Sequence, residues 1–80
     1  MEKELYIAQD LFNSYCLYVF NKTYSIDGDK IFIEGITDEI LYKKLSNYFN
    51  VNVVSVEVYD NLNVNCILIK YVRDKKNETE

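Results

Sequence analysis

The apolar and polar positions of the chain alternate between two periods. From Lys3 to about Phe20 the apolar residues Leu5, Ala8, Leu11, Phe12, Tyr15, Cys16 and Val19 recur at three- and four-residue steps, which predicts an amphipathic helix. Glu2 and Glu4 suit its start, where carboxylates face the positive end of the helix dipole. Tyr15, Tyr18, Val19 and Phe20 are also good strand formers, so a strand from about Tyr15 to Ile26 competes with the second half of that helix.

Next, Asp27-Gly28 separates Tyr24-Ser25-Ile26 from Lys30-Ile31-Phe32-Ile33-Glu34, a two-residue hairpin signal. Ile31 and Ile33 then share one face, Phe32 and Glu34 the other, and Gly35 ends the strand. The second helix has the clearest start: Thr37 can cap it, Asp38 and Glu39 fill the first turn, and Ile36 can staple against Leu41. Its buried stripe is Leu41, Leu45, Tyr48 and Phe49, and Asn50 is a suitable stop.

Val51 to Tyr59 reads as a strand with Val54, Val56 and Val58 on one face and Ser55, Glu57 and Tyr59 on the other. The adjacent Val53-Val54 pair breaks the alternation, which calls for a bulge. After a loop at Asp60-Asn61-Leu62-Asn63, Val64 to Val72 returns as a strand apolar on both faces: Cys66, Leu68 and Val72 on one, Ile67, Ile69 and Tyr71 on the other. Such a strand is covered on both sides.

The expected fold is therefore α+β in the order α-β-β-α-β-β, with a four-stranded, mainly antiparallel sheet and two helices. Residues 1–72 form the single domain and residues 73–80 a polar C-terminal tail. If both helices share one sheet face, the other is left apolar and rich in tyrosine, a patch that a monomer rarely exposes without a partner.

Composition narrows the function. The chain has 80 residues, 13 Asp+Glu against 9 Lys+Arg, and a net charge of −4. That balance argues against direct nucleic-acid binding, which needs clustered cations. No apolar run reaches the ~18–20 residues of a membrane span, and Met1-Glu2-Lys3-Glu4 lacks the basic start of a signal peptide, so a cytoplasmic location is expected. Cys16 and Cys66 sit in apolar runs and fit that reducing compartment as small hydrophobes.

Catalytic chemistry has little to work with. There is no His, hence no ordinary neutral-pH base, and the serines lie in no Gly-x-Ser-x-Gly elbow. Gly28 and Gly35 build no phosphate loop. The paired carboxylates Asp27/Asp29 and Asp38/Glu39 are what a turn and a helix start prefer, and the calcium-loop pattern fails at Lys30 and Ile31. No catalytic residue, cofactor or metal is expected, and a small carboxylate enzyme is the weakest of three readings.

A binding surface fits better. Tyr is 8 of 80 residues, and tyrosine serves interfaces as a rigid side chain with a polar tip, although an AT-rich coding sequence raises Tyr equally well. Residues 1–40 hold eight acids and three lysines, net −5, while residues 41–80 hold five acids and six bases, net +1. Asp27 and Asp29 precede the second predicted strand and Asp38 and Glu39 follow it, roughly 20 Å apart if that strand runs about seven residues. The candidate partner-binding residues are Tyr59, Asp60, Tyr71, Asp27, Asp29, Asp38 and Glu39.

In length, acidity and lack of a catalytic motif the chain resembles the small phage-encoded inhibitors of bacterial defence, anti-CRISPR proteins among them, a group with no common motif. The resemblance implies a non-enzymatic protein acting in a host cytoplasm. It would dock on a larger nucleic-acid-handling protein or ribonucleoprotein complex and block nucleic-acid entry or conformational change. The alternative is a self-associating domain, a homodimer formed through its sheet by Ile67, Ile69 and Tyr71 or by its edge strands.

Overall fold

Seven elements follow one another through residues 1–61 and 64–73, the part of the chain that the computed structural model describes. They are strand β1 (Glu2–Ala8), helix α1 (Gln9–Phe20), strands β2 (Ser25–Asp27) and β3 (Lys30–Phe32), helix α2 (Asp38–Phe49), and strands β4 (Asn52–Asn61) and β5 (Val64–Val72). The strands form one five-stranded sheet in the order β1-β5-β4-β3-β2, with every neighbouring pair antiparallel. The α+β class holds, with one strand more than the four expected.

That strand is β1. Its residues were expected in a helix from Lys3, but only Gln9–Phe20 is helical. Leu5, Ala8 and Leu11 fit a helical stripe, yet Leu5 and Ile7 also alternate with Glu4 and Tyr6 at the period of a strand. The non-local partner decides. β5 has two hydrogen-bonding edges to fill, and β1 takes one in seven unbroken pairs from Glu2–Val72 to Ala8–Cys66. Ala8 is still extended (φ −57°, ψ 144°), and the chain turns into α1 directly after it.

The local signals elsewhere hold. Thr37 Oγ1 accepts the Ile40 N–H at 3.2 Å, capping α2, and Asn50 ends it in the left-handed conformation (φ 60°). Thr37→Ala is expected to cost about 1 kcal/mol, or about 4–8 °C in melting temperature for a domain of this size. Thermal unfolding followed by circular dichroism checks it, and an unchanged midpoint would deny the cap its role. The β2–β3 hairpin forms one residue later than expected: Asp27 pairs with Lys30, and Gly28-Asp29 is the loop. Gly28 (φ 69°) takes the positive φ that a type II′ turn requires at its first position.

β3 is three residues long rather than about seven. The chain reverses at Ile33–Ile36, where the Ile36 N–H donates to the Ile33 carbonyl at 3.0 Å and Gly35 adopts φ 80°. The bulge in β4 lies where the doubled valine placed it, between Val53 and Ser55. It reverses one assignment: Val53 packs against the core, and Val54, expected inside with Val56 and Val58, is half exposed. Asp60 and Asn61 extend β4 instead of forming a loop, while Leu62, Asn63 and residues 74–80 of the expected tail lie outside the described residues.

Cross-strand register places Val56 beside Ile69 and Val58 beside Ile67 on one face of the sheet. The same core cluster contains Phe12 and Cys16 of α1, Leu41 and Leu45 of α2, and Ile31. Both helices therefore cover one face and, among the described residues, leave the other bare. Ile67 and Ile69 have no exposed surface, so neither is available to the sheet-mediated homodimer considered above. No helix among the described residues is long and apolar enough to cross a membrane.

Candidate protein-binding surface

Rows of side chains cross the bare face. Tyr6, Leu68, Glu57, Lys30 and Asp27 form one row from β1 to β2 through successive cross-strand pairs. Glu4, Lys70 and Ser55 form a second, and Ala8, Cys66 and Tyr59 a third. Phe32 lies on the same face, two residues from Lys30 and opposite Ser25. Phe32 is 56% exposed and Tyr6 49%.

Tyr6 and Tyr59 belong to strands on either side of β5, yet their ring centroids are 5.2 Å apart in an edge-to-face arrangement. Two rings rooted one strand apart can meet only above the strand between them. They roof β5, which explains why Leu68 and Cys66 are buried (7% and 5% exposed) on a face with no helix. The double-sided apolar pattern of β5 thus has two covers, helices on one side and a tyrosine pair on the other. The Tyr6 hydroxyl donates to Glu4 Oε1 at 2.8 Å. That bond to a carboxylate, followed by burial, raises its phenol above the ordinary tyrosine value.

The structure divides the residues singled out from sequence. Tyr59 lies on the bare face and Asp27 at its β2 border. Tyr71 is on the opposite, helix-covered face, where it pairs with Val53 and lines a depression with Phe49 and Ile69. Asp29 and Asp60 come together in a shallow polar depression at the hairpin end of the sheet, with Gln9 and Asn65. The Asp29 carbonyl there accepts the Val58 N–H at 2.9 Å. Asp38 and Glu39 stand exposed in the first turn of α2. One patch does not contain them all. Sequence reasoning missed Tyr6, because it was read within a helix; the alternation Glu4–Tyr6–Ala8 against Leu5–Ile7 was the signal for it.

On the helix side a cavity of about 450 Å³ opens between α1 and α2 above β1, lined by Leu5, Ile7, Leu11, Tyr15, Tyr48 and Phe49 among others. The Tyr15 hydroxyl is buried beside it and has no hydrogen-bond partner among the described residues. Burial, with smaller contributions from Cys16 and Tyr48, pushes this phenol up to about 12. Burial likewise holds the Cys16 thiol at about 11, so it stays protonated near neutrality and is a poor nucleophile. Among the described residues no group of three or more His, Cys, Asp or Glu is placed to hold a metal ion.

Comparison with protein-family models, with curated proteins and with solved structures finds no match for this chain.

Proposed function

We propose that this protein is a non-enzymatic inhibitor that binds a larger nucleic-acid-handling complex, such as a CRISPR effector, through the bare face of its sheet. The observation that carries the reading is the two-layer arrangement, which commits both helices to one face and leaves a five-stranded surface bearing Tyr6, Tyr59 and Phe32 with no helix over it among the described residues. Aromatic rings with polar tips are favoured anchors at protein interfaces. The acid at the border of that face, Asp27, suits a partner whose groove is basic because it holds nucleic acid; Asp29 and Asp60 add negative charge at the hairpin end of the sheet, Asp60 from the helix side, where it pairs with Asn65. Attraction of that kind speeds encounter and weakens as salt rises.

Target cleavage by a panel of purified CRISPR effector complexes, with and without an excess of the protein, tests this. One effector is expected to be blocked. Phe32→Ser and Asp27→Lys should relieve the block, by about tenfold or more for an anchor residue. Phe32→Ser should do so at an unchanged melting temperature, since that residue is more than half exposed. Tyr59→Ala should also relieve the block, but lowers stability because it opens the roof over β5. Block retained by all three variants would remove the bare face from the mechanism, and a panel left wholly active would remove the inhibitor reading.

A further inference from the structure

The sheet has two outer edges, and they differ. β2 is three residues long, a length that by itself blunts an edge, whereas β1 keeps seven residues in regular register with no bulge and no proline. Among the described residues nothing pairs with the outer side of β1. Its charges, Glu2, Lys3 and Glu4, are all in the first half, and Leu5-Tyr6-Ile7-Ala8 carries none. Apolar surface adjoins it on the helix side: Leu5 and Ile7 floor the inter-helix cavity, and Leu11, which also lines that cavity, is 65% exposed.

We propose that β1 pairs antiparallel with β1 of a second copy of this chain, about a two-fold axis through Tyr6. A two-fold axis normal to the sheet makes the pairing antiparallel and keeps all four helices on one side. It joins two five-stranded sheets into one of ten strands. Because side chains alternate between faces, only registers that match face to face are open to it. An axis at Glu4 sets that carboxylate against its own copy. An axis at Leu5 sets Lys3 against Ile7 and Glu4 against Tyr6.

With the axis at Tyr6, Leu5 opposes Ile7 on the helix side, while Tyr6 meets Tyr6 and Glu4 opposes Ala8 on the bare side. Lys3 and Glu2 then run past the end of the partner strand. Apolar meets apolar and no two charges oppose. The pairing is edge to edge, so the bare face stays open and is doubled in extent; this inference goes beyond the inhibitor reading and does not depend on it.

Sedimentation equilibrium of the full chain over micromolar to millimolar concentrations is expected to show a monomer–dimer equilibrium. Ala8→Glu sets like charges opposite Glu4 twice in the symmetric dimer and should weaken association about tenfold. Ala8→Lys, which changes the same exposed position by a similar volume, should preserve or strengthen it, and adding Glu4→Lys to Ala8→Lys should weaken it again. Tyr6→Cys should cross-link to itself under mild oxidation, because directly opposed Cβ atoms at about 4.5–5.5 Å can be drawn to disulfide distance. A monomer at every concentration overturns the proposal, including the case in which a foreign peptide occupies this edge. Equal behaviour of the Glu and Lys variants overturns the register. A wild-type chain that is monomeric at every concentration and still inhibits a nuclease would overturn this inference alone.

Discussion

Truncating Leu45 to alanine is expected to remove about 2–5 kcal/mol of stability, and truncating Leu68 distinctly less, although both leucines are buried. Leu45 is 1% exposed between α2 and the sheet, where neighbours from two helices and several strands hold their positions and leave a cavity behind. Leu68 lies under the Tyr6–Tyr59 roof, whose rings border solvent and can settle into the vacated space. The cost of a large-to-small substitution depends on how far the site can collapse. A domain of this length has about 4–12 kcal/mol in total, so Leu45→Ala removes a large share of it. Urea unfolding of the two variants checks the order. A Leu68→Ala variant as unstable as Leu45→Ala would show that the bare face is covered by something more rigid than two tyrosines.

Tyr15→Phe is expected to stabilise the protein by about 1–2 kcal/mol at neutral pH, by removing a buried hydroxyl that no described residue satisfies while leaving the ring in place. The ring packs edge-on against Tyr48 at 5.1 Å and beside Phe12 at 6.1 Å, contacts that phenylalanine retains. The substitution should also change the response to alkali. An unfolded tyrosine releases its proton from about pH 10.0, whereas the folded protein holds that of Tyr15 to about 12. A proton held more tightly in the folded state favours unfolding once the solution begins to remove it. The Tyr15 contribution is therefore complete below pH 10 and is lost as pH rises through 12, and the wild type should weaken across that window more steeply than Tyr15→Phe. Both proteins should share an earlier decline between about 9 and 11, set by Cys16, whose thiol shifts the same way. Urea midpoints measured from neutral pH to strong alkali test this; parallel curves for the two proteins would show that Tyr15 ionises as readily when folded as when unfolded.

The placement of the acids also bears on salt dependence. Asp29 and Asp60 share one depression at the hairpin end, Asp27 borders the bare face, and Asp38 and Glu39 begin α2. Exposed charges separated by more than a Debye length, about 8 Å at physiological ionic strength, act nearly independently. An encounter driven from the hairpin end would therefore respond to Asp29 and Asp60 together, since they line one depression.

Much of the chain could be read from residues a few positions apart. The Thr37 cap, the Asn50 stop, the hairpin around Gly28 and the doubled-valine bulge all depend on neighbours within four residues, and each appears in place or one residue away. β5 was legible too, because a run apolar on both faces must be covered twice. The candidate site was legible only in part, since Tyr59 and Asp27 reach the bare face whereas Tyr71 turns to the helices. What tertiary structure alone decided was the first strand and the side each helix takes. Leu5, Ile7 and Ala8 satisfy a helical stripe as well as a strand's alternation, and the choice rests with an edge of β5 sixty residues away. The same ladder lifts Tyr6 over that strand to meet Tyr59, a contact between positions 53 residues apart that no local pattern encodes. Local chemistry sets where elements begin and end; hydrogen-bonding edges that must be filled set which of two compatible conformations a segment adopts, and with it which face is left to bind.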